Sequence, residues 1–289
     1  MKSGAVSFRG TAMNSEHQSA LAQPYSQPTI PSTLKSIFSS IPLIRVLVRR
    51  DLRLRYHSSV LGYLWTLIEP LLLASAYYFV FIILRGTTEE MYPLLVLSAV
   101  LIWSMFTKTV RFSVNSLVKN AGLIQQIQFP HATLIISKCG SNYIITLLSM
   151  LVIIPLMILY DLGLTWRIVY VGYGLLMSGV LAAAIGFMLA PANVRYRDID
   201  HLINFITRIG FFLTPIMYTI SYIPEEHRWW YLLGNPMAVN ISTVRAGILG
   251  KPLIIEPASV LASAASTLLL LWIGLWIYSR FQNKAVKYL

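Results

Sequence analysis

Charged residues are scarce in this chain. They make up 12% of its 289 residues, about half the share of an ordinary soluble domain. Acidic residues are scarcer still, 11 against 23 lysines and arginines. Cysteine occurs once, at Cys139. An internal disulfide and a cysteine-rich metal site are therefore excluded, and Cys139 is expected to be a small packing residue. Catalytic signatures are missing too. There is no G-x-x-x-x-G-K-[ST] phosphate loop, since residues 247–251 lead into Gly-Lys-Pro without the earlier glycine or the hydroxyl. No H-E-x-x-H, His/Cys cluster or G-x-S-x-G occurs either. These absences give the chain no ATP site, metal centre or hydrolase nucleophile of its own. Residues 1–33 have no apolar core of the signal-peptide kind. Rich in Ser, Gln, Pro and Ala, they are expected to form a disordered cytoplasmic tail.

Apolar runs are abundant. Hydrophobic residues account for 56% of the chain and the mean hydropathy is +0.65. Six runs approach the roughly 20 residues a helix needs to cross a bilayer: 61–84, 93–118, 132–160, 168–189, 199–220 and 258–278. The expected fold is an all-α membrane protein with six transmembrane helices. Lys108 lies about 22 Å along a helix from Pro93, so the second span should continue out into the cytoplasm. Pro155 should kink the third. The Gly- and Ala-rich fourth span suits close helix contact. Residues 191–200 should form a short polar loop. Residues 221–257 are too apolar for water around Trp229 and Trp230, yet Pro224, Gly234, Pro236 and Gly250 divide them. Two re-entrant outer helices before the last span are expected there, against the plainer alternative of an interface helix with an aromatic belt. With the N-terminus inside, 18 of the 23 lysines and arginines fall on the cytoplasmic side, which places both termini in the cytoplasm. The net charge of +12 follows the membrane edges instead of forming a basic patch, so no nucleic-acid partner is expected.

Ahead of the first span lies a segment of a different kind, residues 34–60. Helical spacing puts Ile37, Ile41, Ile44 and Val48 on one stripe and Arg45, Arg49 and Arg53 on the next, with Pro42 starting the regular helix. An apolar face flanked by arginines lies in a membrane interface. The plainer alternative is a juxtamembrane anchor. The domain plan is thus tail 1–33, interface and gate segment 34–60, and permease domain 61–289.

Three features carry possible chemistry. Asp198-Ile-Asp200 has the form of a sugar-transferase D-x-D, but no soluble nucleotide-sugar domain surrounds it, so helix capping and pairing of Asp198 with nearby arginines are expected instead. Glu69 is a carboxylate well inside the first span. A charge at that depth is a functional candidate, and it keeps a proton-coupled carrier open as an alternative. The spans also hold many aromatics, whose faces can pack on sugar C–H groups and whose commoner role is core packing.

In chain order, Arg50-Asp51-Leu52-Arg53-Leu54-Arg55-Tyr56, Leu61-Gly62-Tyr63-Leu64-Trp65 with Pro70, Gly122-Leu123-Ile124 with Phe129-Pro130, Val194-Arg195-Tyr196-Arg197-Asp198-Ile199, Thr214-Pro215-Ile216-Met217-Tyr218, and Asn235-Pro236 with Arg245 resemble the membrane subunit of ABC-type polysaccharide exporters. This is the family of permeases for O-antigen, teichoic acid and mycobacterial galactan, and the resemblance covers about 43–289. It implies a permease, not an enzyme, that works as a homodimer with a separate ATP-binding cassette subunit. ATP and Mg would be bound by that partner, with no cofactor or metal in this chain. The cargo implied is a lipid-linked polysaccharide, moved out across the bacterial inner membrane among its lipids; export of another amphipathic lipid is the nearer alternative. The resemblance further implies coupling to the ATPase through Arg49, Arg53, Gly122, Gln125, Gln126 and Pro130. It implies gates at Tyr56, His57, Tyr63, Trp229 and Trp230, and a channel lined by Trp65, Tyr77, Tyr78, Phe211, Phe212 and Tyr218.

Overall fold

The computed structural model describes residues 29–55, 61–79 and 91–289, apart from the side chains of residues 74, 77 and 78. The expected gate residues Tyr56 and His57 lie outside the described residues, as do the rings of Tyr77 and Tyr78.

The first helix, α1 (Ile30–Ser39), begins inside the stretch expected to be tail. Thr29 starts it with a reciprocal cap: the Ser32 amide donates to Thr29 Oγ1, and the Thr29 amide donates to Ser32 Oγ. A break at Ser40 separates α1 from α2 (Ile41–Arg55). Of the expected stripe, Ile37, Ile44 and Val48 are half-buried. Leu47 is the buried residue of α2, and Ile41 is exposed.

A 3₁₀ turn at Gly62–Leu64 leads into α3 (Trp65–Tyr78), which carries Pro70 inside it. The central helix is α4 (Tyr92–Val114), prolonged by the short α5 (Ser116–Lys119) and α6 (Ala121–Gln126). The third run is α7 (Ala132–Ser149), a 3₁₀ turn at Met150–Val152, and α8 (Ile153–Leu159). Pro155 has no N–H to offer the preceding turn, and the tighter turn just before it marks the expected bend. Then follow α9 (Ile168–Arg195), α10 (Asp198–Leu213), α11 (Glu225–Gly234), α12 (Pro236–Ile248) and α13 (Pro257–Val286). Among the described residues there is no strand.

Four of these stretches are long and apolar enough to cross a membrane: α4, α7 with α8, α9 and α13. Two expected boundaries move. The polar loop expected at 191–200 is mostly helix: α9 runs through Pro191 to Arg195, and only Tyr196 and Arg197 separate it from α10. Packing of α9 against α13 outweighs the one backbone bond that Pro191 cannot make. The fifth run ends early, at Leu213 in place of residue 220. Pro215 bars Thr214 from helical geometry and withholds its own donor, so the chain leaves the helix there.

The core is layered around α4, which is buried on almost every side, from Leu94 and Leu97 through Ile102 to Val114. α9 and α12 pack on it, and α13 closes over α9. Backbones meet most closely at Gly174 and Gly274. A Cβ on Gly174 would stand 2.5 Å from the Asn240 carbonyl oxygen of α12, and one on Gly274 would stand 2.5 Å from the Ala184 carbonyl oxygen of α9. This is the small-residue packing used where lipid supplies no hydrophobic drive between helices. α13 shows the opposite face: Leu268, Leu269, Trp272 and Trp276 are exposed, a surface suited to lipid.

Candidate functional site

At one end of the molecule α2 is clamped to α7. Asp51 accepts from Lys138 Nζ at 2.6 Å and from Arg50 Nη2 at 3.0 Å, and its side chain is only 9% exposed. Arg50 also donates to Asn120 Oδ1 at 3.1 Å, and Arg55 donates to Asn142 Oδ1 at 2.8 Å. The Arg50–Asn120 bond sets the start of α6 beside α2. Arg49, Arg53, Gly122, Gln125 and Gln126 stand exposed on these two elements, while Pro130 is half-buried. Gln125 donates to the Leu289 carbonyl at 2.9 Å, which ties the last turn of the chain to the same loop. His131 closes the loop edge-on to Phe129, and burial lowers its imidazole pKa below the ordinary value. Tyr63 reaches back from the entry to α3 and donates to the Leu52 carbonyl at 3.2 Å.

A polar seam leaves this clamp along α3, α4 and α7. Lys108 Nζ lies 2.7 Å from both oxygens of Glu69. The side chains are 38% and 49% exposed, respectively. Thr66, Ser104, Asn142, Thr146 and Ser149 border the same crevice, and Ser149 Oγ donates to the Thr66 carbonyl at 2.8 Å. Glu69 thus has a specific cationic partner. A half-exposed ion pair of this kind calls for water or protein beside it, not lipid. Asp200, not Asp198, is the engaged member of the D-x-D: it accepts from Asn115 Nδ2 at 2.6 Å and lies 4.0 Å from Arg111. Neither aspartate caps α10, because Arg197 occupies the N-cap; both stand in its first turn.

The other end is held by Arg245. It counts as one of the outer charges, yet it is buried in α12, 6% exposed. Its fork donates to four carbonyls: Leu95 at 3.1 Å, Pro215 at 2.6 Å, Ile216 at 2.6 Å and Tyr218 at 2.9 Å. Three of these belong to the unwound chain after α10, whose carbonyls would otherwise lack partners. Asn235 starts α12 by accepting from the Ala238 amide at 3.2 Å and donates to Thr214 Oγ1 at 3.0 Å. Tyr231 donates to the Leu213 carbonyl at 2.6 Å. Arg245, Asn235, Thr214 and Tyr231 therefore form one polar knot. A helix start at Asn-Pro was visible in the sequence, but the arginine's role as a tie for unwound backbone was not.

The aromatics expected in a channel divide. Trp65 is exposed, and so is Phe212 at 70%. Phe211 is half-buried, edge-on to Trp103 at 6.4 Å and to Phe212 at 5.5 Å. Tyr218 turns back on its own chain, with its hydroxyl 3.3 Å from the Leu213 carbonyl and 3.4 Å from the Tyr231 hydroxyl. Trp229 and Trp230 stand exposed on α11. Trp230 and Tyr231 share an apolar groove of about 520 Å³ with Trp103, Phe106 and Gly210. Beside it α10 presents Leu202, Phe205, Ile209 and Phe212, all exposed.

Residues 42–249 match the ABC-2 type transporter family. The chain is similar to the O-antigen export system permease protein RfbA of Klebsiella pneumoniae, 28% identical over 251 residues, which cover 86% of this chain and 95% of that protein. The protein of the same name from Myxococcus xanthus is 27% identical over 240 residues, with 83% and 92% covered. The polysialic acid transport protein KpsM of Escherichia coli is 25% identical over 250 residues, with 81% and 92% covered. The family match spans most of the chain, including the clamp, the seam and the Arg245 knot, and the chain belongs to the ABC-2 type transporter family of membrane proteins.

Proposed function

We propose that this protein is the permease subunit of an ATP-driven exporter of a lipid-linked polysaccharide. Two copies would form the path, and a separate ATP-binding cassette subunit would supply hydrolysis, with ATP and Mg bound there. The observation that carries the reading is the clamp. In a chain without a nucleotide site, an exposed surface on α2 and α6 is fastened to a spanning helix by Asp51–Lys138, Arg55–Asn142 and Arg50–Asn120. Movement of a partner against that surface passes to α7 as a rigid-body displacement. The names of the relatives, O-antigen and polysialic acid transport, supply the substrate class.

The unpartnered apolar face of α10 is where the second copy would pack, and the exposed rings near it would hold sugar faces weakly enough to let a chain slide. The Glu69–Lys108 seam would be wetted by the path. Cytoplasmic termini follow from the basic asymmetry. A proton-coupled carrier finds less support, because Glu69 is taken up by Lys108. The test is co-expression with the neighbouring ATP-binding cassette protein, followed by co-purification, ATPase assay and polymer export. Lys138→Gln should leave the complex assembled and hydrolysing while export falls at least severalfold. A complex that never forms, or export that survives loss of the partner's ATPase activity, overturns the reading.

A further inference from the structure

A second cavity, of about 660 Å³, lies apart from the seam and the aromatic groove, where the ends of α9 and α13 separate. Met188, Ile277 and Phe281 form an apolar wall. Arg195, Lys284 and Lys287 stand along its rim, and no acidic side chain lines it. Among the described residues these three cations make no ion pair. Two of them are nonetheless placed: the Arg195 guanidinium sits 5.4 Å from the Tyr196 ring and 5.6 Å from the Tyr288 ring, and Lys284 Nζ sits 5.9 Å from the Phe281 ring. Ring faces hold a cation in position without using up its hydrogen-bond donors.

The depth of the cavity defines its ligand. α13 has 30 residues and is about 45 Å long, against about 30 Å of hydrocarbon, so its last turns emerge at headgroup level. Trp272 and Trp276, exposed on the surface suited to lipid, lie on the turns of α13 that precede the residues lining the cavity. Both helices end here, and their C-terminal dipoles repel an anion. A single surface lysine would do no more than offset them; three cations leave a net attraction.

We propose that this cavity is a binding site for an anionic phospholipid of the cytoplasmic leaflet, its phosphate held by Arg195, Lys284 and Lys287 and one acyl chain lying along Met188, Ile277 and Phe281. The site is independent of what the protein exports. Its occupant joins the ends of α9 and α13 next to the loop that Gln125 ties to Leu289, so lipid composition acts on the side of the molecule that faces the proposed partner.

Native mass spectrometry of the full-length protein in neutral detergent tests this, titrating phosphatidylglycerol against phosphatidylcholine of identical chains. Each cation near an anionic headgroup contributes about fivefold in affinity, so the triple variant R195Q/K284Q/K287Q should bind phosphatidylglycerol roughly 100-fold more weakly. Lys287→Gln alone, close to the chain end, should lose about fivefold and guards against a misfolded triple variant. Arg280→Gln, outside the cavity, should change nothing. Equal binding of the two lipids, or a triple variant that binds like the wild type, overturns the proposal. So does displacement of phosphatidylglycerol by inorganic phosphate at matched concentration, which would make the cavity a free-anion site. Tighter binding of an isoprenyl pyrophosphate would reassign it to the exported substrate.

Discussion

Replacing Arg245 by methionine removes the fork while keeping length and apolar bulk. The carbonyls of Pro215, Ile216 and Tyr218 then lose the donors they have in the structure, whereas Leu95 lies within a helix and keeps its ladder bond. A buried carbonyl left without a donor costs about 1–3 kcal/mol. Three of them, with water relieving part of the loss, place the cost at about 3 kcal/mol or more. At roughly 2–4 °C per kcal/mol, the unfolding midpoint should fall by about 6–12 °C. Arg245→Lys keeps the charge but places its donors at one point, so it should recover less than half of that loss. The assay is fluorescence-detected size exclusion of the detergent-solubilised protein after a temperature ramp, with export measured in parallel. A midpoint for Arg245→Met within about 2 °C of the wild type, with export intact, would refute the claim that this side chain holds the unwound segment.

Loss of the seam ion pair should be mild if the seam is wet: Lys108→Gln or Glu69→Gln should cost no more than about 1 kcal/mol, whereas a charge left facing lipid costs about 2.5–3.5 kcal/mol; a drop of the larger size in the same thermal assay rules out a watered seam. Gly274→Val forces side-chain atoms into the Ala184 carbonyl and should lower stability by about 1–3 kcal/mol or more, while Gly172→Ala, with nothing within 4 Å, should be neutral; equal midpoints for the two would deny the close contact. Glutamates at Gln125 and Gln126 should weaken co-purification with the ATP-binding partner without reducing membrane insertion, and undiminished capture removes the α6 loop from the interface. Cysteines placed at Ser3 and Lys284 should be shielded from an impermeant thiol reagent in intact cells while one at Glu225 labels; labelling of all three contradicts cytoplasmic termini.

Much of the architecture could be read from the sequence because lipid imposes long apolar runs. The break in the helix ahead of Pro155 and the two helices on either side of Asn235 were legible for that reason, and so was the helix that continues past Lys108. What hydropathy could not show was how α9 continues past Pro191. Tertiary contact with α13 decides that, and a proline in a window of single-residue propensities looks like an end. The early stop of α10 was written in Thr214-Pro215, but the apolar residues that follow masked it. Partners for buried charge were least legible. Glu69 and Lys108 are 39 residues apart in the chain, and Arg245 bonds to Leu95 across 150; no local pattern encodes either meeting. The clamp lay between these extremes: Arg50, Asp51 and Arg55 fell within the family motif, whereas their partners Asn120, Lys138 and Asn142 needed the fold.

The glycine contact between α9 and α13 has a consequence for biogenesis. α13 is made after α9, yet it covers a face of α9 so bare that backbone meets backbone at Gly274 and Ala184. Until residues 257–286 emerge, that strip of α9 has only lipid or insertion machinery beside it. Lipid tails cannot follow a groove that narrow, so the nascent protein stays an unfinished bundle through most of its synthesis. A chain cut short before Pro257 would leave this strip exposed. Truncation before Pro257 should therefore lower the amount of protein held in the membrane.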